Sequence, residues 1–277
     1  MHAAISRPDG VGLRRLRRSG VPVRVRPDAE KLAPALRALA PDLVVSWFWT
    51  QRLPRAVLEL APLGAIGVHP SLLPRHRGPD PYYWAIARGD ETTGVTAHRL
   101  DEQYDTGAIL AQRALAIDPE WSAWTLARRL DRPSLALLRE VVGRLARGGP
   151  LEATPQDEAR ATAAPEPSER DLEIAWRQRT AEVLRRVRAA SPWPGAFTEI
   201  GYVPVVVTRA AAADAPRNLE PGDAAIVAGR AVVRTADGGV ALVAGRREDD
   251  ESAIDADGFA ALVRGAQSGL SRPEWVE

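Results

Sequence analysis

Short apolar runs alternate with amphipathic segments through the first half of the chain. The runs at residues 21–25, 43–48 and 65–68 predict strands, the last two of them buried. Apolar positions at helical spacing predict helices at residues 11–18, 28–39, 53–60 and 81–88. Residues 121–145 are also helical in pattern, and Pro133 predicts a break into two pieces. This alternation of strands and helices predicts an α/β fold with a Rossmann-like parallel sheet.

The second half of the chain has a different pattern. Residues 148–170 are rich in Ala, Pro, Glu and Thr, which is typical of a linker. An amphipathic helix is predicted at residues 175–190. Short strands separated by glycine turns follow it, near residues 197–200, 203–208, 223–227, 231–234 and 240–243. The pattern predicts domains at residues 1–147 and 171–277, the second a small β-barrel.

Composition narrows the classes of function. The 277 residues are 45% hydrophobic and 26% charged, as in globular proteins with a substantial core. The absence of cysteine excludes disulfides and thiolate chemistry, and we expect no metal site. The net charge of +1 gives no overall attraction to nucleic acid. Without an apolar run of membrane-spanning length or a signal peptide, we expect a cytoplasmic protein with no membrane or DNA partner.

The candidate chemistry is concentrated between residues 64 and 107. His69 ends the apolar run of the predicted strand, and Asp105 lies in a turn signal between two later strand-like segments. A carboxylate beside a histidine orients the ring and stabilises its charged form, so the two residues are a candidate acid/base pair. The same spacing also fits a histidine bonded to a backbone carbonyl and an aspartate that only caps a turn.

Two other features are candidates for ligand contacts. Prolines hold both ends of the loop after His69, so its backbone groups are expected to face a ligand with little loss of entropy. The residues of that loop are Ser71, Leu72, Leu73 and Pro74. The aromatic residues 47–49 end a predicted strand on the expected face of the site, where they would stack on a flat ring or simply pack in the core.

Several rare strings occur in an order that resembles the folate-dependent formyltransferases. They are HPSLLPRHRG at residues 69–78, Pro81, WAI at 84–86, GVT at 94–96 and DTG at 105–107. APDLVV at residues 40–45 and PWPGAF at residues 192–197 extend the likeness, the latter towards the methionyl-tRNA and sugar enzymes. The resemblance implies 10-formyltetrahydrofolate as formyl donor, methionyl-tRNA as acceptor with an amino sugar or other small amine as the alternative, and an OB-like C-terminal domain.

The resemblance also implies residue roles. His69 matches the family histidine that stabilises the developing oxyanion, Asp105 matches the aspartate that sets its charge, and residues 71–74 match the folate-binding loop. The family asparagine is replaced by Gly67, which leaves room for water or a substrate group. Either His98, Gln103 or Ser71 supplies the missing donor, or the chain is a folate- or acceptor-binding homologue without the activity.

The amino-terminal region bears on the acceptor. Compared with the family, we expect the first strand and helix to be missing from this sequence. Either the natural protein begins further upstream, or its amino-terminal region is shortened. Arginines spread around the helix at residues 11–18 fit a contact with RNA or phosphate, but a solvated helix face is the favoured interpretation, because basic runs on exposed helices are common. The oligomeric state is not predicted.

Overall fold

The structure is a computed structural model that describes residues 3–5, 11–25, 29–47, 49, 52–148 and 152–268. Tertiary contacts divide the chain into two compact units. Unit 1 consists of the chain up to Pro81, Thr93–Leu115 and Leu130–Pro165. Unit 2 consists of Tyr82–Thr92, Ala116–Arg129 and the chain from Glu166 onward. The two units therefore interleave along the sequence.

A four-stranded mixed sheet carries the candidate site. β3 (Val44–Trp47) runs parallel to β4 (Ala65–His69), and β5 (Thr92–Arg99) runs antiparallel to β4. β6 (Ile109–Ala116) completes the order β3-β4-β5-β6. The predicted α/β class is confirmed, with parallel pairing only on one side of β4. The connection from β4 to β5 reverses the strand direction, which the alternation of elements did not reveal.

A parallel pair of strands precedes this sheet in the chain. β1 (Ala3–Ile5) pairs with β2 (Val23–Val25), and α1 (Val11–Arg18) lies between them in sequence. In α1, Leu13 is buried whereas Arg14, Arg17 and Arg18 are exposed. This arrangement fits the solvated-face interpretation and leaves the arginines accessible to an anionic partner.

The helices α2 (Ala29–Arg37), α3 (Arg55–Leu58) and α4 (Pro81–Ala87) lie within three of the predicted segments. Asp28, the first residue of the predicted second helix, lies outside the described residues. α3 is a single turn that begins after Pro54, its N-cap residue, and ends at Leu58. Its helical span is therefore shorter than residues 53–60.

The predicted break at Pro133 is wrong. α5 (Ala123–Ala146) is one helix of 24 residues that continues through this proline. Proline lacks the backbone N–H that would donate one helix hydrogen bond, but the apolar side chains on both sides of it remain buried. Leu126, Leu130, Leu137 and Val141 are all buried at helical spacing, so the apolar stripe extends along the whole helix.

None of the described helices has the combination of length and apolarity that a membrane span requires.

The expectation of a buried strand at residues 43–48 is also wrong for β3. Val45 is 42% exposed and Trp47 is 44% exposed, whereas Val44 and Ser46 are half-buried. Alternate residues of a strand point to opposite faces, so only one face of β3 is covered. Phe48 lies outside the described residues.

Unit 2 contains an antiparallel sheet with the order β7-β8-β11-β10-β9, and β12 pairs with β11. The strands are β7 (Ala196–Ile200), β8 (Val203–Ala213), β9 (Ala224–Val227), β10 (Arg230–Arg234), β11 (Gly239–Arg247) and β12 (Ala253–Asp255). All five predicted strand positions are confirmed, and the antiparallel sheet is the architecture expected of the second domain.

Three helices accompany this sheet: α6 (Glu169–Leu172), α7 (Thr180–Ala190) and α8 (Ala256–Gln267). α7 packs mainly on β8 and α8 mainly on β10. The predicted start of α7 at residue 175 is five residues too early, because Trp176 donates a hydrogen bond from Nε1 to Thr198 Oγ1 at 2.9 Å. The helix begins at Thr180, and the backbone nitrogen of its N-cap residue, Arg179, donates to Glu182 Oε2.

Part of the segment that composition predicts as a linker packs on unit 1. Residues 152–165, which we call the strap, form bridges between Thr154 and Ile109 and between Ala163 and Arg77. Thr162 donates from its backbone nitrogen to the carbonyl of Pro74 at 3.2 Å. The strap therefore contacts the loop that follows the candidate histidine.

Candidate active site

The site is built on the end of β4, whose five residues are all buried. β4 ends at His69, which is 6% exposed. The antiparallel register places His98 opposite Gly67 and Thr96 opposite His69. Because side chains alternate along a strand, all four residues share one face of the sheet.

The ring of His69 lies between a carbonyl and a carboxylate. Nε2 is 2.7 Å from the carbonyl oxygen of His76, and Nδ1 is 3.4 Å from Oδ2 of Asp105. A carbonyl can only accept, so Nε2 carries a hydrogen and Nδ1 is the position at which the ring gains or loses a proton. Burial lowers the pKa of His69 below its usual value, and the negative charge of Asp105 opposes this effect.

Asp105 lies in the turn between β5 and β6. Its φ is 57°, in the left-handed region that aspartate tolerates better than most residues. The backbone nitrogen of Gly78 donates to Oδ2 at 3.0 Å. The structure thus brings His69 and Asp105 together as expected, whereas their catalytic roles remain predictions.

A second histidine approaches the same carboxylate. Nε2 of His98 is 3.6 Å from Oδ1 of Asp105, and Nδ1 donates to the carbonyl of Arg99 at 2.7 Å. His98 is 2% exposed. Burial lowers its pKa, the charge of His69 lowers it further, and Asp105 acts in the opposite direction. Asp105 is therefore flanked by two buried imidazoles.

The expectation that Gly67 leaves room for water or a substrate group is wrong. A Cβ atom at this position would lie 2.7 Å from Cδ2 of Leu100 and 3.2 Å from Nε2 of His98. The space beside Gly67 is already filled by these two side chains. Sequence could not show this, because it depends on the register between β4 and β5.

The three candidate donors named from the sequence differ in position. His98 lies beside Gly67. Ser71 donates from Oγ to the carbonyl of Arg75 at 2.6 Å, and the backbone nitrogen of Gln103 donates to Asp101 Oδ1 in an exposed loop. Of the three, only His98 has a contact with Asp105 among the interactions of the described residues.

The proline-bounded loop is tied to its neighbours. Leu73 donates from its backbone nitrogen to Thr96 Oγ1 at 3.0 Å, and Thr96 donates in turn to the carbonyl of Ser71 at 2.6 Å. Gln112 donates from Nε2 to the carbonyl of Leu73 at 2.8 Å. These three backbone groups therefore already have hydrogen-bond partners within the protein. Folate binding by Ser71, Leu72, Leu73 and Pro74 remains a prediction.

A groove of about 890 Å³ opens beside this cluster within unit 1. Leu100 and Thr106 line it close to the Asp105 turn, and α3 contributes Arg55 and Leu58. The volume is in the range of sites that hold drug-sized ligands, roughly 300–1,000 Å³. Sequence analysis missed this groove, because its lining comes from two separate segments, residues 55–65 and 99–106, that only the fold brings together.

The strap holds the turn that carries Asp105. Nε2 of Gln156 donates to the carbonyls of Asp105 and Gly107, each at 2.7 Å. Its Oε1 accepts from Nε and Nη2 of Arg77, at 3.1 and 2.9 Å. Arg77 also pairs with Glu158 at 2.7 Å. Gln156 was missed because its segment has the composition of a linker.

The aromatic residues at the end of β3 do not all lie where the sequence placed them. Trp47 pairs with Val68 in the sheet register, which puts it on the face opposite Gly67 and His69. Its Nε1 donates to Ser134 Oγ at 2.9 Å. Phe48 lies outside the described residues, and Trp49 is half-buried. The prediction that these aromatics lie on the sheet face of the site is therefore wrong for Trp47.

Tyr83 and Trp84 pack within unit 2. The hydroxyl of Tyr83 donates to the carbonyl of Asp171 at 2.7 Å, and the rings of Tyr83 and Trp84 meet edge to face at 5.2 Å.

In the described part of the chain, no three or more His, Asp or Glu side chains are grouped in a way that would hold a metal ion.

Sequence comparison identifies relatives across both halves of the chain. A family model described as formyl transferase matches residues 9–142, and one described as formyl transferase, C-terminal domain, matches residues 168–263. The methionyl-tRNA formyltransferase of Anaeromyxobacter dehalogenans (strain 2CP-C) is 44% identical over 217 residues, which is 78% of this chain and 69% of the relative. That of Synechococcus sp. (strain JA-3-3Ab) is 41% identical over 265 residues, covering 90% and 78%.

Solved structures share the fold. HypX from Aquifex aeolicus in complex with tetrahydrofolic acid superposes with a TM-score of 0.70 at 22% identity, covering 99% of this chain and 49% of HypX. This chain thus spans about half the length of HypX. The N-formyltransferase from Helicobacter canadensis, in complex with folinic acid and dTDP-3-aminofucose, gives a TM-score of 0.66 at 15% identity, covering 87% and 88%. On the sequence matches above, the chain belongs to the formyltransferase family.

Proposed function

We propose that the protein transfers a formyl group from 10-formyltetrahydrofolate to the amino group of methionyl-tRNA. The observation that carries this proposal is the buried contact between His69 and Asp105 beside a groove large enough for a folate. The relatives named methionyl-tRNA formyltransferase, at 40% identity or more, support the same reaction and acceptor.

The chemistry requires a group that stabilises negative charge. When an amine attacks a formyl carbon, the electron pair of the carbonyl moves to its oxygen, and a positioned donor lowers the barrier. His69 supplies such a donor when its Nδ1 is protonated. Asp105 stabilises that proton at 3.4 Å, and the backbone of Gly78 fixes the carboxylate.

We assign the formyl donor to the groove and to the loop of residues 71–74. The groove has apolar surface from Leu58 and Leu63 and polar groups from Asp101 and Thr106. Such a mixture suits a flat ring that carries several hydrogen-bonding atoms. Folinic acid and tetrahydrofolic acid are present in the solved structures that share this fold, which agrees with the assignment.

An amino sugar is the alternative acceptor, since WlaRD, a sugar 3N-formyl transferase, shares the fold with a TM-score of 0.64. Aromatic side chains such as those at residues 47–49 and the tyrosines of α4 would favour a small amine if they lined the site. Trp47 faces away from His69, and Tyr83 is 3% exposed within unit 2. Neither of these two residues lines the described groove, so we favour methionyl-tRNA.

We also propose a cytoplasmic location, which suits an enzyme that acts on aminoacylated tRNA. A formyltransferase domain at residues 1–147 and a C-terminal domain at residues 171–277 remain our division of the chain. Because the strap contacts unit 1, we assign residues 152–165 a role in the catalytic domain.

The test is release of tetrahydrofolate from 10-formyltetrahydrofolate, measured with methionyl-tRNA and with a panel of amino sugars, beside His69→Ala. Turnover that requires both methionyl-tRNA and His69 is the expected result. Turnover with an amino sugar alone would reassign the acceptor. Folate binding without turnover would show a binding homologue that has lost the chemistry.

A further inference from the structure

Asp105 is the meeting point of two imidazoles, and the proposed reaction uses only one of them. Oδ2 faces Nδ1 of His69 at 3.4 Å, and Oδ1 faces Nε2 of His98 at 3.6 Å. Both rings lie on one face of the sheet and are buried. A buried titratable side chain that faces a catalytic carboxylate is a candidate for function in its own right.

The outer nitrogens of the two rings are fixed by the main chain. Nε2 of His69 donates to the carbonyl of His76, and Nδ1 of His98 donates to the carbonyl of Arg99, both at 2.7 Å. The inner nitrogens therefore hold no hydrogen while the rings are neutral, and each gains one only when its ring becomes charged. A donor for a developing oxyanion exists here only on a protonated ring.

The surroundings favour one proton over two. Asp105 stabilises a charge on either ring, whereas burial and the charge of His69 oppose a charge on His98. The other titratable groups nearby are His76, which acts on His69, and Asp101, which acts on His98. Arg77 also lies close enough for Asp105 and Asp101 to stabilise its charge. Groups coupled in this way titrate as a pair rather than singly.

Gly67 is what allows His98 to take this position. A side chain at residue 67 would begin 3.2 Å from Nε2 of His98 and 2.7 Å from Leu100. The imidazole is anchored at its other nitrogen and has little freedom to retreat. A side chain at residue 67 therefore requires the end of Leu100 to move and the ring of His98 to shift by a few tenths of an ångström.

We propose that His98 is a positioning residue that shares one proton with His69 across Asp105, in the space that the glycine at residue 67 leaves open. The role of His98 in catalysis rests on the proposed formyl transfer, whereas the contacts of His98 do not depend on it. During the transfer, the bond from the amine nitrogen to the formyl carbon forms and the bond from that carbon to N10 of the folate breaks. One proton leaves the amine and one reaches N10, so no external proton is consumed.

The histidine pair balances these two transfers. His69 holds the proton that stabilises the oxyanion and then releases it to N10. His98 accepts, through Asp105, the proton lost by the amine, and returns it to His69 by the same route. Asp105 stays a carboxylate at the beginning and the end of the cycle.

The test is a pH titration of the full chain labelled with ¹⁵N-histidine, followed by NMR at the ring nitrogens. In the wild type, we expect His69 and His98 to take up one proton between them over a shared pH range. In His98→Gln, His69 binds the whole proton instead of a share of it, because its competitor is gone, so the ¹⁵N shifts of its ring go from a partial to the full imidazolium value at the low-pH plateau. Leu100→Ala is the matched control, since Leu100 fills the same space and carries no proton, and it leaves the protonated share of His69 unchanged.

An unchanged protonated share of His69 in His98→Gln would overturn the proposal, as would uptake of two independent protons in the wild type. Equal shifts in His98→Gln and Leu100→Ala would also overturn it, because they would reflect packing alone. The readout does not depend on turnover. An inactive chain with a coupled titration would contradict only the proposed function, and an active chain without coupling would contradict only this inference.

A double substitution gives a second readout. His98→Ala removes the ring, and Gly67→Asn then places an amide in the vacated space. We expect the double variant to transfer formyl groups faster than His98→Ala alone, although Gly67→Asn alone slows the reaction. If the fold-losses in rate of the two single variants simply multiply in the double variant, residues 67 and 98 do not share one space or one role.

Discussion

Gln156 and Asp105 are joined by a hydrogen bond of 2.7 Å from the Gln156 amide nitrogen to the Asp105 carbonyl. The same amide nitrogen reaches the carbonyl of Gly107, and the amide oxygen is held by Arg77. The turn that presents the carboxylate to both histidines is thus secured by a residue 51 positions further along the chain. Positioning of the candidate carboxylate depends on the strap.

Replacing Gln156 with Leu should lower kcat more than it raises KM. The substitution leaves two carbonyls of the Asp105 turn unpaired, at about 1–3 kcal/mol for a buried group. The carboxylate then loses its fixed position, and catalysis suffers more than binding. Steady-state kinetics of tetrahydrofolate release would measure both parameters.

Glu158→Gln is the matched control for that variant. Glu158 also contacts Arg77, but its side chain is 71% exposed, so loss of its charge should change kcat little. Equal kcat losses in both variants would mean that Arg77, and not the bond from Gln156 to the turn, controls the site.

Gly67→Asn should slow formyl transfer rather than accelerate it. The new side chain must displace Leu100 and His98, and overpacking of this kind costs about 1–3 kcal/mol of stability. Gly67→Ala should show a smaller loss, because the end of the Leu100 side chain can move. A faster Gly67→Asn variant would show that the chain merely lacks an oxyanion donor.

Stability should fall as the pH is lowered from about 7 to about 5. Burial depresses the pKa values of His69 and His98 below the ordinary value of 6.5, so the unfolded chain binds more protons in this window. The contribution is fully present above pH 6.5 and is lost as the pH falls towards the folded pKa values. Urea unfolding at several pH values would measure the slope, which should be smaller in His98→Gln. A wild-type slope of zero or of opposite sign would contradict the burial of these rings.

Trp47→Phe should reduce stability without changing the KM for the folate donor. The variant loses the hydrogen bond to Ser134, worth about 0.5–1.5 kcal/mol, on the sheet face opposite His69. Ser134→Ala removes the same bond from the other side and should have a similar effect on thermal unfolding. A raised KM in Trp47→Phe with an unchanged KM in Ser134→Ala would place the indole in the folate site after all.

The part of the site that could be predicted from sequence is local. An apolar run that ends in a histidine specifies β4, and the turn signal at Asp105 lies between two strand-like segments, so the pair could be named without coordinates. What could not be predicted depends on register and long-range contact. The relation of His98 to Gly67 exists only once β5 pairs antiparallel with β4.

Two differences between a local pattern and the structure have the same physical origin. Pro133 predicts a break by its local chemistry, but the buried stripe that includes Leu130 and Leu137 keeps α5 continuous. The composition of residues 148–170 predicts a linker, but hydrogen bonds from Gln156 and Thr162 tie the strap to unit 1. In both cases, tertiary packing overrides a local preference.

The most direct test of the account is the rate of tetrahydrofolate release with 10-formyltetrahydrofolate and methionyl-tRNA, compared between the wild type, His69→Ala and Asp105→Asn. We expect turnover in the wild type and a loss of about a hundredfold or more in each variant, because each removes the proton-holding pair that stabilises the oxyanion. Wild-type turnover that persists in both variants would contradict the central claim that the contact between His69 and Asp105 performs the transfer.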